Sequence, residues 1–127
     1  MPNTQSARSP LTRQELEIIK IVWNLKTATV RDVYETMREK RRIAYTTVMT
    51  MMRIMEGKGQ LDKWQEGRAY VYKAKHPKER IIKEMVQEFV DRVFNGCPEP
   101  LVSQLIETCK IPSADRKKIK QMIQKKE

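Results

Sequence analysis

The residues best suited to chemistry in this chain lie between Tyr45 and Lys58. There Val48, Met51, Met52 and Met55 recur at the three- and four-residue spacing of one helix face. The opposite side of such a helix carries Thr46, Thr50, Arg53 and Gly57, with Thr47 and Met49 on its flanks. No acidic residue occurs in this stretch before Glu56. Hydroxyls that donate and accept, methyl groups and a guanidinium are the set that reads base edges in a major groove. Arg bonds guanine in bidentate fashion, Thr hydroxyls serve either sign, and Thr or Met methyls touch the thymine methyl. A solvated helix face is usually rich in Glu and Lys, although one short acid-free helix also arises by coincidence. Arg41, Arg42, Lys58, Lys63 and Arg68 flank this helix in sequence, as expected if phosphates on both sides of a groove are clamped. A general solubilising role for these charges is the alternative.

Other chemistries find little support. His76 is the single histidine and sits beside Pro77 and Lys78, where it reads as a surface loop residue rather than a ligand or catalyst. The four glycines, at 57, 59, 67 and 96, are too scattered to form a phosphate-cradling loop. Glu15 and Glu17 fall within an amphipathic stretch and read as solvated face. Cys97 and Cys109 lack the CxxC grouping of a zinc site and are too few for a disulfide scaffold, so reduced thiols are expected. The residues thus point to a non-enzymatic protein with no metal or small-molecule cofactor.

The elements that position these residues follow from the patterning. The 127 residues suffice for one domain or two very small ones, and 26 Lys plus Arg against 16 Asp plus Glu give a net charge of +10. No apolar run approaches the roughly 18 residues of a membrane span, so no membrane insertion is expected. Residues 1–10 are polar and lack a signal-peptide apolar region, which predicts a disordered tail and a cytoplasmic protein. Thr12 and Glu15 form a capping-box pattern, and Leu16, Ile19, Val22 and Trp23 continue it as a helix ending near Leu25. Thr29 and Asp32 repeat the signal two or three residues later, with Val30, Val33, Tyr34 and Met37 forming the apolar stripe of a second helix. The helix from Tyr45 is the third, and Gly57 and Gly59 supply its stop. Two extended runs, Leu61 to Trp64 and Ala69 to Ala74, flank a Gln65 to Arg68 turn and read as a hairpin.

A boundary is expected at His76-Pro77, which makes residues 11–75 one domain and 76–127 another. Ile81, Ile82, Met85, Val86, Phe89, Val90, Val93 and Phe94 recur as pairs every four residues. Leu101, Val102, Leu105 and Ile106 follow on a short helix after Pro98 and Pro100, and a last helix is expected from a Ser113 cap. So few residues bury so much apolar surface poorly by themselves, and dimerisation through Ile82, Met85, Val86, Phe89, Val90, Val93, Phe94, Leu101 and Leu105 is the economical solution. The charge is asymmetric. Residues 1–75 hold 15 basic and 8 acidic side chains, whereas 76–127 hold 11 and 8.

The runs AYTTVMTMMRIMEGKGQL (44–61), GRAYVYKA (67–74) and FVDRVFNG (89–96), together with LTRQELEIIKIVW (11–23) and ATVRDVYE (28–35), resemble the penicillinase repressor (BlaI/MecI) family of bacterial transcription regulators. The resemblance implies a mainly α protein: a winged helix-turn-helix domain of three helices plus a β-hairpin wing, followed by a helical dimerisation segment. It implies a homodimer that binds a pseudo-palindromic DNA operator, with Thr46, Thr47, Thr50 and Arg53 facing the bases. Family members are typically paired with a membrane sensor-protease and inactivated by cleavage in the dimerisation segment. The matching bond here is Gln104-Leu105, where the familiar pair is Asn-Phe. The CxC motifs of copper-responsive relatives are absent. Two readings from other classes stay open on residues alone, a winged-helix protein-interaction adaptor and a basic RNA-binding protein. The acid-free helix face speaks against the first, and the lack of an exposed aromatic sheet platform against the second.

Overall fold

The computed structural model describes residues 11–109 and 111–126; the expected disordered tail, 1–10, lies outside them. In chain order the elements are α1 (Arg13–Leu25), β1 (Ala28–Thr29), α2 (Val30–Arg38), α3 (Tyr45–Gly57), β2 (Leu61–Glu66), β3 (Ala69–Ala74), α4 (Lys78–Phe94), α5 (Glu99–Thr108) and α6 (Ser113–Lys126). Three helices followed by a hairpin, with a short strand between the first two helices, are the order of a winged helix-turn-helix. The chain divides into two compact units between Glu84 and Met85, inside α4.

The amino-terminal unit starts as its caps dictate. Thr12 Oγ1 accepts from the Glu15 amide while Glu15 Oε1 accepts from the Thr12 amide, both at 3.1 Å. Thr29 and Asp32 repeat the arrangement at α2, so each box satisfies two amides that a helix start leaves unpaired. The apolar stripes then close on one another: Ile18, Ile19 and Val22 of α1, Val33 and Met37 of α2, and Val48, Met52 and Met55 of α3 are all buried in one core. Leu61 and Tyr72 seal it from the sheet.

The sheet has a strand that patterning did not reveal. Its order is β1-β3-β2, with Ala28 opposite Tyr72 and Thr29 opposite Val71, both strand pairs antiparallel. Thr29 is therefore both a ladder residue and the cap of α2. The hairpin is also longer than expected. β2 runs to Glu66, which faces Ala69, so only Gly67 and Arg68 form the loop. Gly67 has φ +62°, the left-handed value needed at the first position of so tight a connection.

Glu15 corrects the sequence reading, since it is 6% exposed rather than part of a solvated face. It is tolerated there because Lys58 Nζ donates to it at 2.8 Å. Burial alone would raise its carboxyl, but the bonds from Lys58 and the Thr12 amide, with the Lys58 charge, hold it below its ordinary value.

In the carboxy-terminal unit, α4 ends where Asn95 and Gly96 take positive φ and the Gly96 amide donates back to the Val90 carbonyl at 3.1 Å. Phe89 and Phe94 meet edge to face at 5.9 Å. Val90, expected on a surface shared with a partner, is only 5% exposed in the single chain. Ser113 is the first residue of α6 rather than its cap, and the Pro112 carbonyl accepts from Asp115 and Arg116.

Candidate nucleic-acid interface

The buried stripe of α3 fixes what its other side presents. With Val48, Met52 and Met55 fully enclosed, Thr46, Thr47, Thr50 and Arg53 are all exposed, and Met49 lies half-buried on the flank. The one acidic residue of α3, Glu56, is half-buried in its last turn, 4.0 Å from Lys63 of β2. What remains outward is an acid-free surface of hydroxyls, methyls and a guanidinium.

Three contacts hold α3 in place. At its start, the Tyr45 ring packs edge to face on Tyr34 of α2 at 5.4 Å, and the Arg38 guanidinium lies 5.6 Å from the Tyr34 centroid. At its end, Lys58 is tied to Glu15, which fastens the carboxyl terminus of α3 to the amino terminus of α1. Across its flank it meets the sheet. There burial pushes the Tyr72 phenol up, opposed by the nearby Arg53 cation. The sequence places Tyr34 in the apolar stripe of α2 and Tyr45 at the start of α3 but does not show that they meet; for Arg38 the i, i+4 spacing from Tyr34 is the signal available.

The candidate phosphate clamps separate into two groups. Arg41 is bound to Glu17 at 2.9 Å, Lys58 to Glu15 at 2.8 Å, and Lys63 sits near Glu56 and 4.7 Å from the Tyr70 centroid. Arg42, Arg53 and Arg68 have no carboxylate within 4.0 Å among the described residues. Arg68 stands at the hairpin tip, where Gln65 Nε2 donates to the Gly67 carbonyl and Trp64 Nε1 donates to Glu66 at 2.7 Å. Lys73 lies 5.9 Å from the Trp64 ring. The hairpin next to α3 thus carries Lys63, Arg68 and Lys73 against Asp62 and Glu66.

Ile82, Val86, Phe89, Val93 and Leu105 remain exposed, Phe89 by 39%, whereas Met85, Phe94 and Leu101 are half-buried. Gln104 and Leu105 lie within α5, both exposed. No cluster of metal-ligating side chains occurs among the described residues, and no described helix is long and apolar enough to cross a membrane.

Comparison with known proteins shows the family of the chain. The chain is 23% identical over 110 residues to the penicillinase repressor of Bacillus licheniformis, covering 87% of this chain and 86% of that one. It is 20% identical over 116 residues to the methicillin resistance regulatory protein MecI of Mammaliicoccus sciuri, covering 91% and 94%. The solution structure of the DNA-binding domain of the repressor BlaI matches at 26% identity with a TM-score of 0.49, over 54% of this chain and 85% of that chain. The profile of the penicillinase repressor family matches residues 11–125, nearly the whole chain, which therefore belongs to this family of DNA-binding transcriptional repressors.

Proposed function

We propose that the protein is a homodimeric repressor that reads a pseudo-palindromic duplex site with α3 and is relieved by proteolysis of its helical carboxy-terminal segment. The observation that carries this reading is the acid-free outward face of α3, held against the core by α1 and α2 beside a basic hairpin. Thr46, Thr47, Thr50 and Arg53 reach the bases, and Arg42 and Arg68 bind phosphates on either side of the groove. In this reading residues 11–75 form the reader and 76–127 the dimerisation domain.

The apolar residues left exposed on α4 and α5 support the dimer. Ile82, Val86, Phe89, Val93 and Leu105 are large apolar side chains left exposed in the single chain, and a two-fold axis would cover them with one surface used twice. A dimer doubles the half-sites engaged and raises affinity through effective concentration. Cleavage at Gln104-Leu105 by a membrane sensor-protease, acting directly or indirectly, would detach the end of α5 together with α6. Since that bond lies in a helix, α5 must open before a protease grips it.

The test is selection of duplexes from a random-sequence pool by the full-length protein, with mass measured by sedimentation. Enrichment of a two-fold symmetric sequence by a dimer is expected. No enriched sequence, or enrichment of a single half-site by a monomer, would refute the proposal.

A further inference from the structure

Ile54 takes no part in the core and has no role in the interface as described so far. It is a large β-branched apolar side chain left 49% exposed on α3, although the same helix buries Val48, Met52 and Met55 completely. Positions 47, 50 and 54 are spaced three and four apart, so Ile54 continues the line of Thr47 and Thr50 along the outward surface. A residue there serving solvation alone would be Glu, Lys or Gln. These have higher helix propensity than Ile and cover the surface without exposing hydrocarbon.

We propose that Ile54 is a specificity-determining residue that packs on the C5-methyl of one thymine in each half-site; this rests on the reading role given to α3. The thymine methyl is the apolar group that a base pair offers in the major groove. Matching it takes an apolar side chain in a fixed position. The β-branch of Ile restricts its first torsion in a helix to nearly one rotamer, so its methyls are held before DNA arrives. Its surroundings favour a base over a protein partner. Ile54 is the one exposed aliphatic side chain of α3, set among the hydroxyls of Thr47 and Thr50 and the guanidinium of Arg53, and with the half-buried Met51 beside it in the helix it offers far less apolar area than a protein interface buries.

The experiment uses the full-length protein and the duplex it enriches from a random pool. Each thymine is replaced in turn by deoxyuridine, which removes only the methyl. One thymine per half-site is expected to lose about fourfold in affinity with the unaltered protein, the weight of one buried methyl. For Ile54→Ala that same replacement should have no effect, while affinity for random duplex stays unchanged. Arg53→Ala is measured beside it. If no thymine loses its methyl sensitivity in Ile54→Ala while Arg53→Ala still lowers discrimination, this inference fails and the reading role of α3 stands. If Ile54→Ala weakens selected and random duplexes alike, or changes the mass of the protein, Ile54 lies outside base readout. If no duplex is enriched at all, both fall together.

Discussion

The division of the basic residues predicts the salt dependence of DNA binding. Six cations of the amino-terminal half were candidates for the interface, and the structure engages Arg41, Lys58 and Lys63 with Glu17, Glu15 and Glu56. Arg42 and Arg68 remain for phosphates, with Arg53 assigned to the bases, which makes about four phosphate contacts in a dimer. At roughly 0.9 counterions released per contact, the log-log slope of affinity against salt should be near -4; if Arg41, Lys58 and Lys63 acted as well it would approach about -9. Arg68→Ala removes two cations per dimer and should flatten the slope by about 2, weakening selected and random duplexes alike. Lys58→Ala should leave the slope unchanged and instead cost about 1 to 3 kcal/mol of stability, because it strips a bond from the buried Glu15 carboxylate. The assay is fluorescence anisotropy on a labelled duplex from about 50 to 200 mM salt, with thermal unfolding of each variant. A slope near about -9, or a Lys58→Ala protein that flattens the slope as much as Arg68→Ala does, would refute the assignment of the paired cations to structure.

Three further outcomes are expected. Arg53→Ala should cost about 1 to 3 kcal/mol on the selected duplex and little on random DNA, measured by competition; equal loss on both would move Arg53 from bases to phosphates. Phe89→Glu places a carboxylate from each chain in the proposed two-fold interface at a cost of several kcal/mol, so sedimentation should show monomers; a dimer that persists places the interface elsewhere. Glu15→Gln retains the capping-box side-chain type but loses the ion pair. The folded-state pKa of Glu15 lies below its ordinary 4.5, so its contribution is present above that value and is lost as pH falls through the depressed one. Denaturant unfolding should therefore show the unaltered protein ahead of Glu15→Gln near neutral pH, with the gap closing in acid; a gap independent of pH would mean that the carboxylate charge is not what matters.

Much of the amino-terminal unit was legible because each signal is local. Thr12 with Glu15 and Thr29 with Asp32 are capping pairs three residues apart; of the stripes they introduce, Ile19, Val22, Val30, Val33 and Met37 are buried, while Leu16, Trp23 and Tyr34 are only partly so and Ile18 joins the core instead. β1 was not legible, because two residues show no alternation and Ala28–Thr29 becomes a strand only when β3 lies beside it. The outward face of α3 was read from the position of Val48 alone. Which cations stay available was not, since Glu15 and Lys58 meet 43 positions apart and Glu17 and Arg41 meet 24 apart. Ile54 escaped for a different reason: a lone apolar residue on an amphipathic helix reads as noise until its exposure is known.

Those long-range pairs change what the net charge of the reader means. A domain with a large positive excess is attracted to any polyanion, and nonspecific attraction competes with recognition of a particular site. By drawing Arg41 and Lys58 into contacts with α1, the fold spends two cations on holding the loop before α3 and the end of α3 in fixed positions. Glu15 serves this purpose twice, capping α1 through its bond with Thr12 while anchoring Lys58. The outward hydroxyls and Arg53 then sit on a helix whose two ends are secured, which is the condition under which base contacts discriminate by more than they cost to order. With Arg42 and Arg68 on phosphates as proposed, such a domain would make few phosphate contacts per half-site. Under the proposed function its affinity depends on joining two of them, and an interface carried by exposed residues of α4 and α5 is where a single cut has the largest effect on occupancy.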